Sequence, residues 1–345
     1  MKKYLFLIFA LIFISCNNDK AIFIWGNSVK TNGYTIITDT IVITDHEAIR
    51  PLLHYNDKYY YSSFAKDSLG YYRFSHVGII DPDGNIRKIK CSIDGAEFGR
   101  DDIFIHNDSV IIKSYYDPEA FFLDEKNEKS VSVKTVDDVV FEDDEYYVTS
   151  LDYGEWGSAT WFKDKKTGVE YEAAGFLTPE ILKFKGSYYL ISPNEVNVID
   201  DPKKLENIGK GNYKRFLGKN GIRVFYERSV RGYDKGIRNL YRGDITYERT
   251  DDFCFGPTFI HNGSIRFIVN DNNKEYIAKI ENGKIIPVAT IADSIYSTRY
   301  DNNYRNLYLN KTIAFAMKNK KLFGQLEVKD GKIYMHYFKV KPENN

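Results

Sequence analysis

A hairpin written seven times constrains this chain more than any other feature. Each copy is an apolar strand, a polar turn and a second strand rich in aromatic residues. The copies read "PLLHYNDKYYYSS" from Pro51, "DIFIHNDSVIIKS" from Asp102, "DVVFEDDEYYVTS" from Asp138 and "EILKFKGSYYLIS" from Glu180. They continue with "KRFLGKNGIRVFY" from Lys214, "PTFIHNGSIRFIV" from Pro257 and a weaker "NLYLNKTIAFAM" from Asn306. Asn-Asp, Asn-Gly and Lys-Gly between apolar runs are hairpin signals, because these residues tolerate the positive φ that a tight turn demands. Successive turns are spaced by about 42 residues on average.

A second hairpin follows within several units, as in "HVGIIDPDGNIRKIK" (76–90), "TWFKDKKTGVEYEAA" (160–174) and "YIAKIENGKIIPVAT" (276–290). Two hairpins per unit give four antiparallel strands, the period and content of a β-propeller blade. The sequence therefore predicts an all-β chain, a single propeller over 21–345 with seven blades, six or eight being the alternatives. The strand-like segment 21–45, with "YTIITDTIVIT", is expected to complete the last blade and fasten the ring.

The N-terminus has the composition of a targeting segment. Lys2 and Lys3 precede an uncharged apolar run from Tyr4 to Ile14, too short to span a bilayer and of signal-peptide length. It ends in "FISC", which resembles the lipobox of bacterial lipoproteins, with Phe13 where the usual pattern has Leu. The resemblance implies a signal peptide over 1–15, acylation of Cys16 and a short tether over 16–20. It implies anchoring in a lipid bilayer, with Asn17 favouring the outer membrane. Lys+Arg and Asp+Glu are equal at 48 each, so no global field attracts nucleic acid, and none is expected as a partner. Cys91 and Cys254 have no metal-ligand spacing and read as buried thiols, with a disulfide between them as the alternative. His106 and His261 flank equivalent turns and His54 is displaced by one, so they read as repeat residues. No metal or cofactor is expected.

"TPEILKFKGSYYLIS" and "RPLLHYNDKYYYSS" resemble the inner strands of arabinanase- and β-xylosidase-type propeller glycosidases. That family places its catalytic base directly before the proline of the first blade, where this chain has Arg50. Its general acid stands two residues before a later proline, where this chain has Leu177. Hydrolysis of a glycosidic bond needs two carboxylates across the scissile bond. The candidates here are Glu180 paired with Asp101 or Asp102, and the simpler reading is a polar residue at the start of an inner strand.

The most distinctive local composition is 223–249, in which Arg and Tyr are interleaved. Guanidinium groups bind carboxylate or sulfate through paired hydrogen bonds, and Tyr adds a stacking face. Arg228, Arg231, Tyr233, Arg238 and Tyr241 are thus candidates for binding an acidic glycan. A solvated hairpin with paired charges explains the same composition. In "SLDYGEWGSATWF" (150–162), Trp156 lies in a Gly-flanked loop and is a candidate sugar platform, whereas Trp161 falls in the following strand and suits the core. The functional expectation is an envelope lipoprotein whose propeller binds a glycan or a protein partner. A polysaccharide-active glycosidase or lyase on the same scaffold is the alternative.

Overall fold

The computed structural model describes residues 20–43, 48–91, 101–106, 108–114, 120–133, 139–152, 158–174, 180–192, 194–211, 235–243, 253–271, 274–291, 295–296, 312–317, 322–329 and 331–340. Two strands, β1 (Ile22–Thr31) and β2 (Tyr34–Ile43), come first in the chain but belong to its last sheet. The first sheet holds β3 (Ala48–Tyr55), β4 (Lys58–Lys66), β5 (Tyr72–Ile80) and β6 (Ile86–Ile89). The second holds β7 (Asp101–His106), β8 (Ser109–Ser114), β9 (Ala120–Asp124) and β10 (Lys129–Val133). The third is built on β11 (Val139–Glu142), β12 (Tyr146–Asp152), β13 (Ser158–Asp164) and β14 (Val169–Ala174).

The fourth sheet begins with β15 (Glu180–Phe184), β16 (Ser187–Ser192) and β17 (Glu195–Ile199). The chain then crosses back: β18 (Glu206–Lys210) pairs with β14, giving the third sheet a fifth strand. It returns in β19 (Arg238–Arg242), which pairs with β17 and completes the fourth sheet. The fifth holds β20 (Phe253–His261), β21 (Ser264–Asp271), β22 (Lys274–Glu281) and β23 (Lys284–Ile291). The sixth runs through β24 (Ile295–Tyr296), β25 (Thr312–Met317), β26 (Leu322–Lys329) and β27 (Lys332–Val340), and then takes up β2 and β1.

The sheets meet through their first strands. β3 lies against β7, β11 against β15, β15 against β20, β20 against β24 and β25, and β25 against β3. The sixth sheet thereby returns to the first, and the chain is an all-β propeller of six blades. The count of seven is corrected to six. The copy at 214–226 lies outside the described residues, between β18 and β19, two strands already committed to the third and fourth sheets. The copy at Asn306 contributes β25 to the sixth sheet. Hairpin chemistry marks turns, and a turn is not a blade when the strands beside it join existing sheets.

Where the turns are described, their chemistry is as the sequence suggests. Asn56-Asp57, Lys185-Gly186 and Asn262-Gly263 all have positive φ at both positions, which matches the strand twist of a two-residue hairpin. The third copy differs. Its turn is wider, and the Asp143 carboxylate accepts from the Glu145 and Tyr146 amides at 2.8 Å each. The motif prolines sit at bulges. The register shifts between Arg50 and Leu52 around Pro51, and between Phe255 and Thr258 around Gly256-Pro257. A proline lacks the N–H a ladder needs, so a bulge is where it fits.

The core lies between the sheets, and each described cluster joins two neighbours. Leu53, Tyr60 and Val77 meet Ile103, Ile112 and Phe121 between the first and second. Phe141, Val148 and Phe162 meet Ile181, Tyr188 and Leu190 between the third and fourth. Ile191 and Val196 meet Phe255, Phe267 and Val269 between the fourth and fifth. Burying both faces in this way explains the high aromatic content.

The ring is fastened by the N-terminal hairpin. β2 runs parallel to β27 from Ile36↔Ile333 to Ile43↔Val340. The expectation for segment 21–45 is met in a particular form: the hairpin is added outside a sheet that already has four strands of its own. Tyr34 and Ile36 pack against Phe259, Ile268 and Ile277 of the fifth sheet, while Ile41 and Ile43 pack with Ile49, Tyr61 and Ile80 of the first. Lys20, expected within the tether, forms a β-bridge with Asn85, and the Ala21 amide donates to the Gly84 carbonyl at 2.8 Å.

Candidate functional site

The first strand of each blade starts where the connection from the preceding blade arrives. Asp101 and Asp102 open β7 and pair along the backbone with Ser114 and Lys113. Their side chains lie outside what is described. Glu180 opens β15 and is fully described. It is 4% exposed, and its Oε1 accepts from the Thr258 amide of the fifth sheet at 3.1 Å. The donor stands directly after the Gly256-Pro257 bulge, where the β20–β21 register resumes at Thr258↔Phe267. Burial pushes the Glu180 carboxyl well above the usual range, opposed only by hydrogen bonding from Thr258. The side chain thus bridges two blades from a buried position that disfavours its charged form.

Two other joints are built on ionised carboxylates. Glu125 accepts from Lys58 Nζ at 2.7 Å, the Tyr60 hydroxyl at 2.6 Å and Arg87 Nη2 at 2.8 Å, so it ties the second sheet to the first. Burial alone would raise its pKa, but the three donors outweigh that and hold it below the ordinary value. Arg87 is also held by Asp81 through two contacts of 2.8 and 3.1 Å. Between the third and fourth sheets Asp143 accepts from Lys183 Nζ at 2.6 Å and the Tyr188 hydroxyl at 2.7 Å. Here too burial is overcome by the donors, and the carboxyl is lowered. These are structural ion pairs with aromatic backing, repeated at two joints.

The Arg/Tyr segment is described over 235–243. Its strand β19 is the outer strand of the fourth sheet. Arg242 Nη2 meets Glu195 Oε1 at 2.6 Å, Lys235 meets Glu206 at 3.6 Å and Arg238 meets Asp200 at 3.5 Å. Tyr241 packs edge-on against Phe255 with ring centroids 5.4 Å apart, inside the joint with the fifth sheet. Among the described candidates of this group Arg238 is the one at the surface, more than half exposed and opposite an equally exposed acid. Arg228, Arg231, Tyr233, Trp156 and Cys16 lie outside the described residues. Trp161 is in the core, its indole donating to Glu172 Oε2 at 3.0 Å.

Cys91 is a free thiol, with burial pushing its pKa up to about 11. His54 stacks on Tyr59 and His261 on Tyr34, each with centroids 4.5 Å apart. Among the described residues no three His, Cys, Asp or Glu side chains converge as a metal site.

The sequence did not single out His336. It stands on β27 opposite Asp39 of β2, with Nδ1 2.7 Å from Asp39 Oδ1 and Nε2 3.9 Å from Glu327. Tyr59 of the first sheet lies edge-on to its ring at 6.1 Å. Burial alone would lower the imidazole, but hydrogen bonding to Asp39 and Glu327 prevails and lifts it to about 9. No motif could have marked it, because the pairing depends on the register of a strand 297 residues away.

No protein-family model matches the chain, and no curated protein matches it. Solved structures with a similar course include an acylaminoacyl peptidase of Pyrococcus horikoshii. It is 10% identical over 84% of this chain and 46% of that one, at a TM-score of 0.39. A prolyl endopeptidase is 10% identical over 87% and 51%, at 0.38. The chain thus spans about half the length of these two. The β-propeller domain of the Trilobed protease from Pyrococcus furiosus is 11% identical over 84% and 98%, at 0.35.

Proposed function

We propose that this chain is a binding propeller of the cell envelope, held at a membrane through an acylated Cys16 and presenting its ring to a glycan or an envelope protein. The observation that carries the choice of binding over glycoside cleavage is the state of Glu180. A glycosidase carboxylate must reach the glycosidic oxygen or the anomeric carbon. Glu180 instead commits its acceptor to the Thr258 amide and is shut from solvent. At the surface, the 3.5 Å Arg238–Asp200 pair is open to exchange, since exposed ion pairs of this kind contribute about 0–1 kcal/mol and yield to a better anion. A carboxylate or sulfate of an acidic glycan is such an anion, engaging the guanidinium through two hydrogen bonds.

The test is retention of the purified protein on an array of acidic and neutral glycans, run beside an assay for released product. The expected result is retention without product, weakened severalfold in Arg238→Ala and unchanged in Glu180→Gln. Product release that Glu180→Gln abolishes would replace this reading with that of a polysaccharide-active enzyme.

A further inference from the structure

The first strand of the described chain is a surface anomaly. β1 reads "IFIWGNSVKT" and is the free edge of the sixth sheet, paired to β2 on one side only. Its apolar side chains are out in solvent: Ile22 is 50% exposed, Ile24 51%, Val29 55% and Trp25 82%. Phe23 stacks beside Trp25 with centroids 6.5 Å apart. Soluble proteins normally blunt such an edge with charge or cover it. Here Lys20 and Lys30 flank the run and no carboxylate lies between them.

We propose that β1 lies on the bilayer as an interfacial contact that sets how the propeller sits on its membrane. The proposal rests on the reading of Cys16 as the lipidated residue. Lys20 is fixed to the body by its bridge to Asn85, four residues after Cys16. Chain geometry limits those four residues to about 14 Å. An acyl group in the bilayer therefore holds the start of β1 at the headgroup level whatever path the linking residues take. The chemistry of the strand suits that level and no deeper one. Trp is favoured at membrane–water interfaces, where its ring is apolar and its N–H stays hydrated. The outer backbone groups of an edge strand find water and headgroups there, whereas hydrocarbon would leave them unsatisfied. The flanking lysines favour an anionic leaflet.

The test uses the full-length protein, purified with its lipid and reconstituted in phosphatidylethanolamine–phosphatidylglycerol vesicles whose acyl chains carry bromine. Intact mass of the N-terminal peptide reports on Cys16, and tryptophan emission reports on Trp25. The expected result is an acylated Cys16 together with blue-shifted, bromine-quenched emission in the wild type. Trp25→Phe loses that quenched component and folds as before. Acylation with equal quenching in both proteins, or with none, overturns the proposal and leaves the lipoprotein reading standing. A dimer cross-linked through β1, with no quenching, identifies a second copy as the occupant and overturns it as well. An unmodified Cys16 removes the lipoprotein reading and the proposal together.

Discussion

Glu180 shows how far a single residue's identity can mislead. It opens an inner strand, where an acid is needed for catalysis, and "TPEILKFKGSYYLIS" made it visible. Its hydrogen-bond donor is the Thr258 amide, 78 residues later, beside the Gly256-Pro257 bulge. Nothing local to Glu180 encodes that contact. The consequence is testable at this scale. The folded-state pKa is raised by burial, so the native state holds a proton that the unfolded chain releases above the ordinary carboxyl range. Wild-type stability is therefore expected to fall as pH rises above that range. Glu180→Gln keeps the acceptor for Thr258 and should remove that part of the decline in urea unfolding. Glu180→Ala leaves the amide without a partner and should cost about 1–3 kcal/mol within the ordinary carboxyl range, a cost that shrinks as pH rises and the wild type itself loses stability.

Elements explain what was legible and what was not. The hairpins at 76–90, 160–174 and 276–290 are β5–β6, β13–β14 and β22–β23, because turn residues and alternating apolar positions act locally. The partner of β18 was not legible. It leaves the fourth sheet to pair with β14, and sequence order cannot announce a strand that changes sheets. The hairpin β1–β2 was readable as strand, but its parallel pairing to β27 joins segments from opposite ends of the sequence. His336 sits in that pairing, facing Asp39, Glu327 and Tyr59. Its pKa is raised from an ordinary value near 6.5 to about 9. The stabilisation it gives is complete below about pH 6.5 and is lost as pH rises through about 9. Asp39→Asn should remove a pH-dependent contribution on the order of 2 kcal/mol, seen as a flatter dependence of Tm on pH between those values.

At the scale of the molecule, the period of about 42 residues carried the architecture, since a propeller repeats one buried unit. It did not carry the blade number, which is a property of sheet membership. The ring closes where β25 packs on β3, and it is fastened by β2 laid parallel along β27, with the first and fifth sheets packed on either side of it. The direct measurement is a disulfide across the fastening strands. Val42 and Lys339 are register partners, and neighbouring strands about 4.8 Å apart allow the Cα separation a disulfide needs. The double variant Val42→Cys/Lys339→Cys is predicted to form a crosslink between positions 42 and 339 under mild oxidation, identified by peptide mass. Val42→Cys/Lys332→Cys is predicted to form none. Free thiols in the first variant, or a bridge in the second, would contradict a six-bladed ring fastened by a parallel N-terminal strand.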